Sequence, residues 1–85
     1  MFEISLSNNA TKFYQQADEK LSTNLNNAFD ELSLNPYFGN NIKKLKGKLF
    51  GLYRYRLGNY RIVYSVEETI KVIAVIWIGK RKDAY

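Results

Sequence analysis

The chain has 85 residues, 46% of them hydrophobic and 15% aromatic, and a formal net charge of +5. That composition belongs to a folded chain, and the length suits one domain spanning residues 1–85. It contains no cysteine and no histidine, which excludes disulfides, thiol chemistry, His-based triads and the common zinc-site spacings.

Residues 2–6 alternate Phe2, Ile4 and Leu6 against Glu3 and Ser5, the period of a half-buried strand. Ser7 or Asn8 then serves as a helix N-cap. Ala10, Phe13, Tyr14, Ala17 and Leu21 follow helical spacing, and Leu25, Ala28, Phe29 and Leu32 continue it. One uninterrupted helix over 9–34 would be about 39 Å long, too long for so small a core. A break near Asp18–Lys20 is therefore expected, giving an αα-hairpin. Asn35-Pro36 ends the second helix, because the residue before proline disfavours helical angles.

Residues 36–51 read as a connection rich in Gly, Asn and Lys, anchored by Ile42 and Leu45. Strands are expected at 52–57, 60–66 and 69–78, with a polar turn at Glu67-Glu68. The last strand is apolar on both sides, as suits an interior strand. Uniform alternation places Val72, Ala74, Ile76 and Ile78 on one face and Ile73, Val75 and Trp77 on the other. Residues 79–85 leave the sheet as a basic tail. The expected fold is α+β: a small two-layer domain with an N-terminal strand, an αα-hairpin and a three-stranded antiparallel meander, together forming a four-stranded sheet. The N-terminus lacks the pattern of a signal peptide, and the longest apolar run, residues 72–78, is too short to span a membrane. A cytoplasmic protein without membrane association is expected.

Charge is unevenly spread. Residues 1–40 carry two lysines against five carboxylates, a net −3, whereas residues 41–85 carry eleven Lys/Arg against three, a net +8. A basic half favours a polyanion or an acidic protein partner. Its centre is LYRYRLGNYRIVY, residues 52–64. Gly58-Asn59 between two β-prone runs reads as a two-residue hairpin turn. That register pairs Leu57 with Tyr60, Arg56 with Arg61 and Arg54 with Val63. The tyrosines then share one face with Leu57, Ile62 and Val66, while Arg54, Arg56 and Arg61 share the other with Val63 and Ser65. Two unit charges 5.5 Å apart repel by roughly 0.7 kcal/mol in water and about 3 kcal/mol at an effective dielectric of 20. No carboxylate lies in the run to offset this, so an anion from outside is the natural partner.

Without His, Cys or a Gly-rich phosphate loop, chemistry falls to Arg, Lys, Tyr, Asp or Glu, and no cofactor or metal is expected. Such a set suffices for RNA cleavage. RNA carries its own nucleophile in the 2′-OH, and arginines hold and neutralise the phosphate through planar, bidentate contacts. An aromatic ring stacks on an unpaired base.

The segment LKGKLFGLYRYRLGNYRIVYSV followed by IKVIAVIWIGKRKDAY resembles the RelE/ParE superfamily of bacterial toxins. The matching features are Leu45-Lys46-Gly47, the Tyr/Arg strand 53–57, Gly58-Asn59-Tyr60-Arg61, the apolar strand 72–78 and the basic stretch 80–85 ending in tyrosine. The helical first half, ending at Asn35-Pro36, fits as well. The resemblance implies a toxin paired with a RelB-like antitoxin in a hetero-oligomer. In its RelE branch it implies a metal-independent endoribonuclease acting on mRNA in the ribosome. Carried over residue by residue, Arg56 and Arg81 flank the scissile phosphate, Arg54 and Arg61 hold phosphates, and Tyr85 stacks on a base. The implied catalytic set is Arg56, Arg61, Arg81 and Tyr85, with Arg54, Lys46, Lys48, Lys80 and Lys82 as RNA-binding residues. The RelE branch often has lysines where this chain has Arg54 and Arg56. A guanidinium stays protonated and is a poor base, which leaves solvent hydroxide, a ribosomal group, or Lys46, Lys48, Lys80 or Lys82 to take the proton. The alternative within the superfamily is a ParE-like inhibitor of DNA gyrase without nuclease activity.

Overall fold

The computed structural model describes residues 1–83. The chain runs β1 (Glu3–Leu6), α1 (Asn8–Gln16), α2 (Glu19–Leu34), β2 (Ile42–Lys44), β3 (Tyr53–Leu57), β4 (Tyr60–Glu67) and β5 (Val72–Lys80), with short 3-10 turns at Gly47–Leu49 and Arg81–Asp83. The helices break where the length argument requires. Ser7 caps α1 by accepting from the Ala10 N–H at 3.1 Å, and Asp18 caps α2 by accepting from the Leu21 N–H at 2.8 Å. Asn35 closes α2 ahead of Pro36.

The α+β class is as expected, but the sheet has five strands, ordered β1-β5-β4-β3-β2. The additional strand is β2, inside the segment read as a connection. It pairs antiparallel with β3, setting Ile42 against Tyr55, Lys43 against Arg54 and Lys44 against Tyr53. Three residues with one apolar side chain show no readable period, and lysines on an edge strand deter pairing with other chains. β1 runs parallel to β5 at the other edge. β5 is therefore interior, as its two apolar faces suggest, although it spans residues 72–80 rather than 69–78.

The hairpin register is the one expected: Leu57–Tyr60, Arg56–Arg61 and Arg54–Val63. Gly58 has φ +60° and supplies the left-handed position that a two-residue hairpin turn needs. α1 packs over β5 and α2 over β3. The core lies between helices and sheet, where Ala10, Leu25, Ala28 and Leu32 meet Tyr55, Ile62, Tyr64, Ile73, Val75 and Ile78. The Tyr64 hydroxyl, fully buried, donates to the Pro36 carbonyl at 2.7 Å. Tyr53 stacks on Tyr64 at 5.6 Å between ring centroids, and Tyr37 meets Tyr53 edge-on.

One expectation about β5 is corrected. The ladder with β4 shifts by a residue: Tyr64 pairs with Val75, but Val63 pairs with Trp77. Ile76 is the extra residue of a β-bulge, and the strand's sidedness inverts there. Ile78 thus joins Ile73 and Val75 in the core, while Trp77 joins Val72 and Ala74 on the outer face. The Ser7 hydroxyl donates to the Ile76 carbonyl at 2.6 Å, and Asn9 Oδ1 accepts from the Ile78 N–H at 3.3 Å. The β1–α1 junction thereby supplies partners that a regular ladder would otherwise provide.

Candidate functional site

The outer face of the sheet carries the arginines in two rows. Lys43, Arg54, Val63 and Trp77 follow one another across β2, β3, β4 and β5, and the next row holds Arg56, Arg61 and Gly79. The Arg56 N–H donates to the Asn41 carbonyl at 2.9 Å, away from β4. Arg56 and Arg61 are therefore a non-hydrogen-bonded cross-strand pair, the closer kind, with Cα atoms about 4.5 Å apart. Arg56 is exposed, and Arg54 and Arg61 are half-buried.

At the hairpin end of the sheet the chain turns sharply after β5. The Arg81 N–H donates to the Asn59 carbonyl at 2.9 Å, tying the Arg81–Asp83 turn to the tip of the β3–β4 hairpin. The result is an open pocket of about 660 Å³ walled by Asn59, Tyr60, Arg61, Lys80, Arg81 and Lys82. Four of these six described residues carry positive charge: Arg61 from β4, and Lys80, Arg81 and Lys82 from the end of β5 and the turn after it, about twenty residues later in sequence. Such a concavity concentrates positive potential where an anion enters. Its guanidinium groups offer fixed, planar donors matched to phosphate oxygens.

The tyrosines with perturbed acidity lie elsewhere. Burial pushes the Tyr64 phenol up. Burial, and then the bond its hydroxyl donates to Glu31 Oε1 at 3.0 Å, raise Tyr55. Tyr37 is raised to about 12, chiefly by its hydrogen bond to Glu68. Glu68 is lowered in turn, first by its pairing with Lys71 and then by Tyr37. Glu68 thus belongs to a turn contact at the far end of the sheet, as the reading of Glu67-Glu68 as a polar turn expects. These phenols stay protonated at neutral pH and contribute packing rather than acid–base chemistry.

The family model described as "ParE toxin of type II toxin-antitoxin system, parDE" matches residues 6–85. The chain belongs to this toxin family. No curated protein sequence matches it. Among solved structures, the toxin is similar to the archaeal RelE–RelB complex from Pyrococcus horikoshii OT3, with 28% identity over 98% of both chains and a TM-score of 0.81. It is also similar to the intact Escherichia coli RelBE toxin–antitoxin complex, with 26% identity over 94% of this chain and 96% of that one and a TM-score of 0.79. The YoeB/ParE toxin from Agrobacterium tumefaciens, 20% identical, shares the fold with a TM-score of 0.84 over 94% of this chain and 99% of that one. Together these place the chain in the RelE/ParE superfamily of type II toxins.

In this toxin, the residues singled out from the sequence fall into two groups. Arg54, Arg56 and Arg61 share the outer face, and Arg61 meets Arg81, Lys80 and Lys82 around one pocket. Lys46 and Lys48 are not brought there. They are exposed in the β2–β3 loop, beyond Tyr53, while the pocket lies beyond Leu57 at the other end of β3. The length of that strand, about 13 Å, separates the two ends. Tyr85 lies outside the described residues. Two residues of the outer face escaped the sequence reading. Lys43, a connection lysine open to either a solubility role or a phosphate contact, could not be placed on this face without β2, and Trp77 could not because only the bulge at Ile76 turns it outward. No described helix is long and apolar enough to cross a membrane.

Proposed function

We propose that this toxin is an endoribonuclease that cleaves mRNA on the ribosome, with the pocket between the β3–β4 hairpin and the C-terminal turn as the place where the scissile phosphate sits. The observation that carries this reading is the convergence of Arg61 and Arg81 on one pocket, with Arg56 directly across the ladder from Arg61. In-line attack by the 2′-OH, which gives its proton to a base, forms a bond to phosphorus and breaks the bond to the 5′-oxygen; that oxygen takes a proton from solvent water, leaving a 2′,3′-cyclic phosphate and a 5′-OH. Two negative charges build on the phosphoryl oxygens as the bond forms. Arg56, Arg61 and Arg81 neutralise them, and Arg54 holds a neighbouring phosphate. Neutralisation by guanidinium takes the part a metal plays in other nucleases. Of the lysines considered as proton acceptors, Lys80 and Lys82 border the pocket, with solvent hydroxide and a ribosomal group the other routes. Tyr85, two residues past the turn, supplies the stacking surface. Lys46 and Lys48, at the other end of β3, contact RNA outside the cleavage site.

The partner we propose is an acidic, amphipathic antitoxin segment that forms a hetero-oligomer with the toxin in the cytoplasm. Support comes from the relatives solved as RelE–RelB, RelBE and YoeB–YefM complexes and from the charge of residues 41–85. The nuclease reading is tested by inducing the toxin in a bacterial host and mapping mRNA 5′ ends. New ends inside coding regions are expected, with intact mRNA and restored growth for Arg81→Ala. Arrested growth with undamaged mRNA rejects the nuclease. The match to a ParE family model favours one second reading, inhibition of DNA gyrase. A supercoiling assay decides it: lost gyrase activity with intact mRNA establishes that target.

A further inference from the structure

We infer that Trp77 is a stacking platform for one base of a single-stranded RNA whose phosphates lie on the arginine rows. This rests on the reading of the outer face as an RNA site and adds a residue to it. The β-bulge sets the geometry. In an unbroken ladder Trp77 would point to the helix side with Ile73 and Val75. The extra residue Ile76, 42% exposed, reverses the strand and delivers the indole to the arginine face opposite Val63. The reversal is anchored from outside the sheet by Ser7 on the Ile76 carbonyl and Asn9 on the Ile78 N–H.

The indole also has a prepared seat. A Cβ built on Gly79 would collide with the six-membered ring of Trp77, so the ring occupies the space that only a glycine leaves above the β5 backbone. Arg61 pairs with Gly79, which makes Trp77 the diagonal neighbour of Arg61. Such neighbours lie about 7–8 Å apart, within reach of aromatic and long side chains. Arg54 is two strands from Trp77 in the same row, about 10 Å away, with the small side chain of Val63 between them. The surface therefore alternates a flat aromatic ring with fixed cations. That is how sequence-tolerant single-strand sites combine stacking with phosphate contacts. The main buried cluster lies on the opposite face of β5, while on the outer face Trp77 is half-buried beside the buried Val63 and Gly79. The charge of Lys43, Arg54, Arg56 and Arg61 on this face selects a polyanion, and the proposed nuclease function together with the aromatic ring makes it RNA.

Trp77 is the chain's one tryptophan, so its emission reports this position alone. The experiment titrates the full chain with a short 2′-O-methyl RNA oligonucleotide, which cannot be cleaved, at low ionic strength. Fluorescein anisotropy of the oligonucleotide and Trp77 emission are followed together. Quenching that saturates at the same concentration as the anisotropy is expected, and an abasic oligonucleotide should bind with the quenching largely lost. Trp77→Phe should bind within about threefold of the natural chain, and Trp77→Leu should bind roughly 5- to 100-fold more weakly. Rising anisotropy without any change in emission overturns the stacking role and leaves the RNA site standing, as does an abasic oligonucleotide that quenches fully. No anisotropy change at all overturns the RNA site and the platform together. If Trp77→Leu fails to fold, the titration of the natural chain still decides.

Discussion

Replacing Gly79 with alanine adds one methyl group at the point where the site rests on the sheet. Its backbone is not in the left-handed region, so alanine faces no intrinsic strain, and the effect comes from what the methyl meets. It meets the Trp77 indole, and either the ring leaves its seat or β5 shifts. Overpacking of this kind costs about 1–3 kcal/mol. Removing glycine's freedom from the unfolded chain returns about 0.4–1 kcal/mol. The net loss then lies between about 0 and 2.6 kcal/mol. For a domain of this size, a loss of 1.5 kcal/mol lowers Tm by roughly 6–12 °C. The displaced indole enters water, so its emission should shift to the red.

A double-mutant cycle separates this cause from a general weakness of β5. With Trp77→Ala in place there is nothing for the methyl to strike. Gly79→Ala should then be neutral or stabilising, and the coupling between the two positions should reach about 1–3 kcal/mol. Thermal melts of the four proteins, followed by circular dichroism, measure it. An unchanged Tm and emission for Gly79→Ala, or an equal cost in both backgrounds, would refute the proposed seating of the ring.

Two further outcomes follow from the polar contacts. Ser7→Ala removes both the α1 cap and the bond to the bulge carbonyl, so urea melts should show a loss of about 1–3 kcal/mol with a concurrent change in Trp77 emission. Tyr64→Phe leaves the Pro36 carbonyl without its donor and should cost about 1–3 kcal/mol near neutral pH. Burial raises the Tyr64 pKa in the folded state, whereas the unfolded phenol ionises near pH 10. Above pH 10 the unfolded chain therefore binds fewer protons than the native one, and stability falls with rising pH by up to about 1.4 kcal/mol per unit for this group. Below pH 10 its contribution is complete. Urea melts between pH 9 and 11 should show this slope, and Tyr64→Phe should flatten it.

The parts of the molecule readable from sequence were those where a local rule leaves no slack. A two-residue Gly58-Asn59 turn admits one register, so Arg56 had to face Arg61, and alternation carried Arg54 to the same side. The break near Asp18–Lys20 followed from helix length, and the cap that Asp18 provides was found only in the fold. The strand of residues 42–44 was not readable, because one isoleucine and two lysines define no face and only pairing with β3 makes them a strand. The bulge was not readable because residues 72–78 are all apolar, so no polar residue marks where inside becomes outside. Every side chain past Ile76 was consequently assigned to the wrong face, Trp77 among them. The family resemblance implied Arg81 beside Arg56, whereas the pocket brings Arg81 together with Arg61. In the fold this meeting depends on the backbone bond from Arg81 to Asn59, which no spacing rule foretells. The separation of Lys46 and Lys48 from that pocket follows from β3 running between them and the turn.

The sheet divides its labour by face, and the division explains why cations can be crowded on one side. Tyrosine hydroxyls on the helix side are used as internal ties: Tyr64 to Pro36, Tyr55 to Glu31 and Tyr37 to Glu68. Together with the stacked rings of Tyr53 and Tyr64 they fasten α2 to β3 and the α2–β2 connection to β4 and the turn that follows it. The outer face carries the cations, with Arg56 directly across the ladder from Arg61 and Arg54 in the neighbouring row. A polyanion bound across these rows stabilises the folded chain by mass action, through the affinity that charge complementarity lends it.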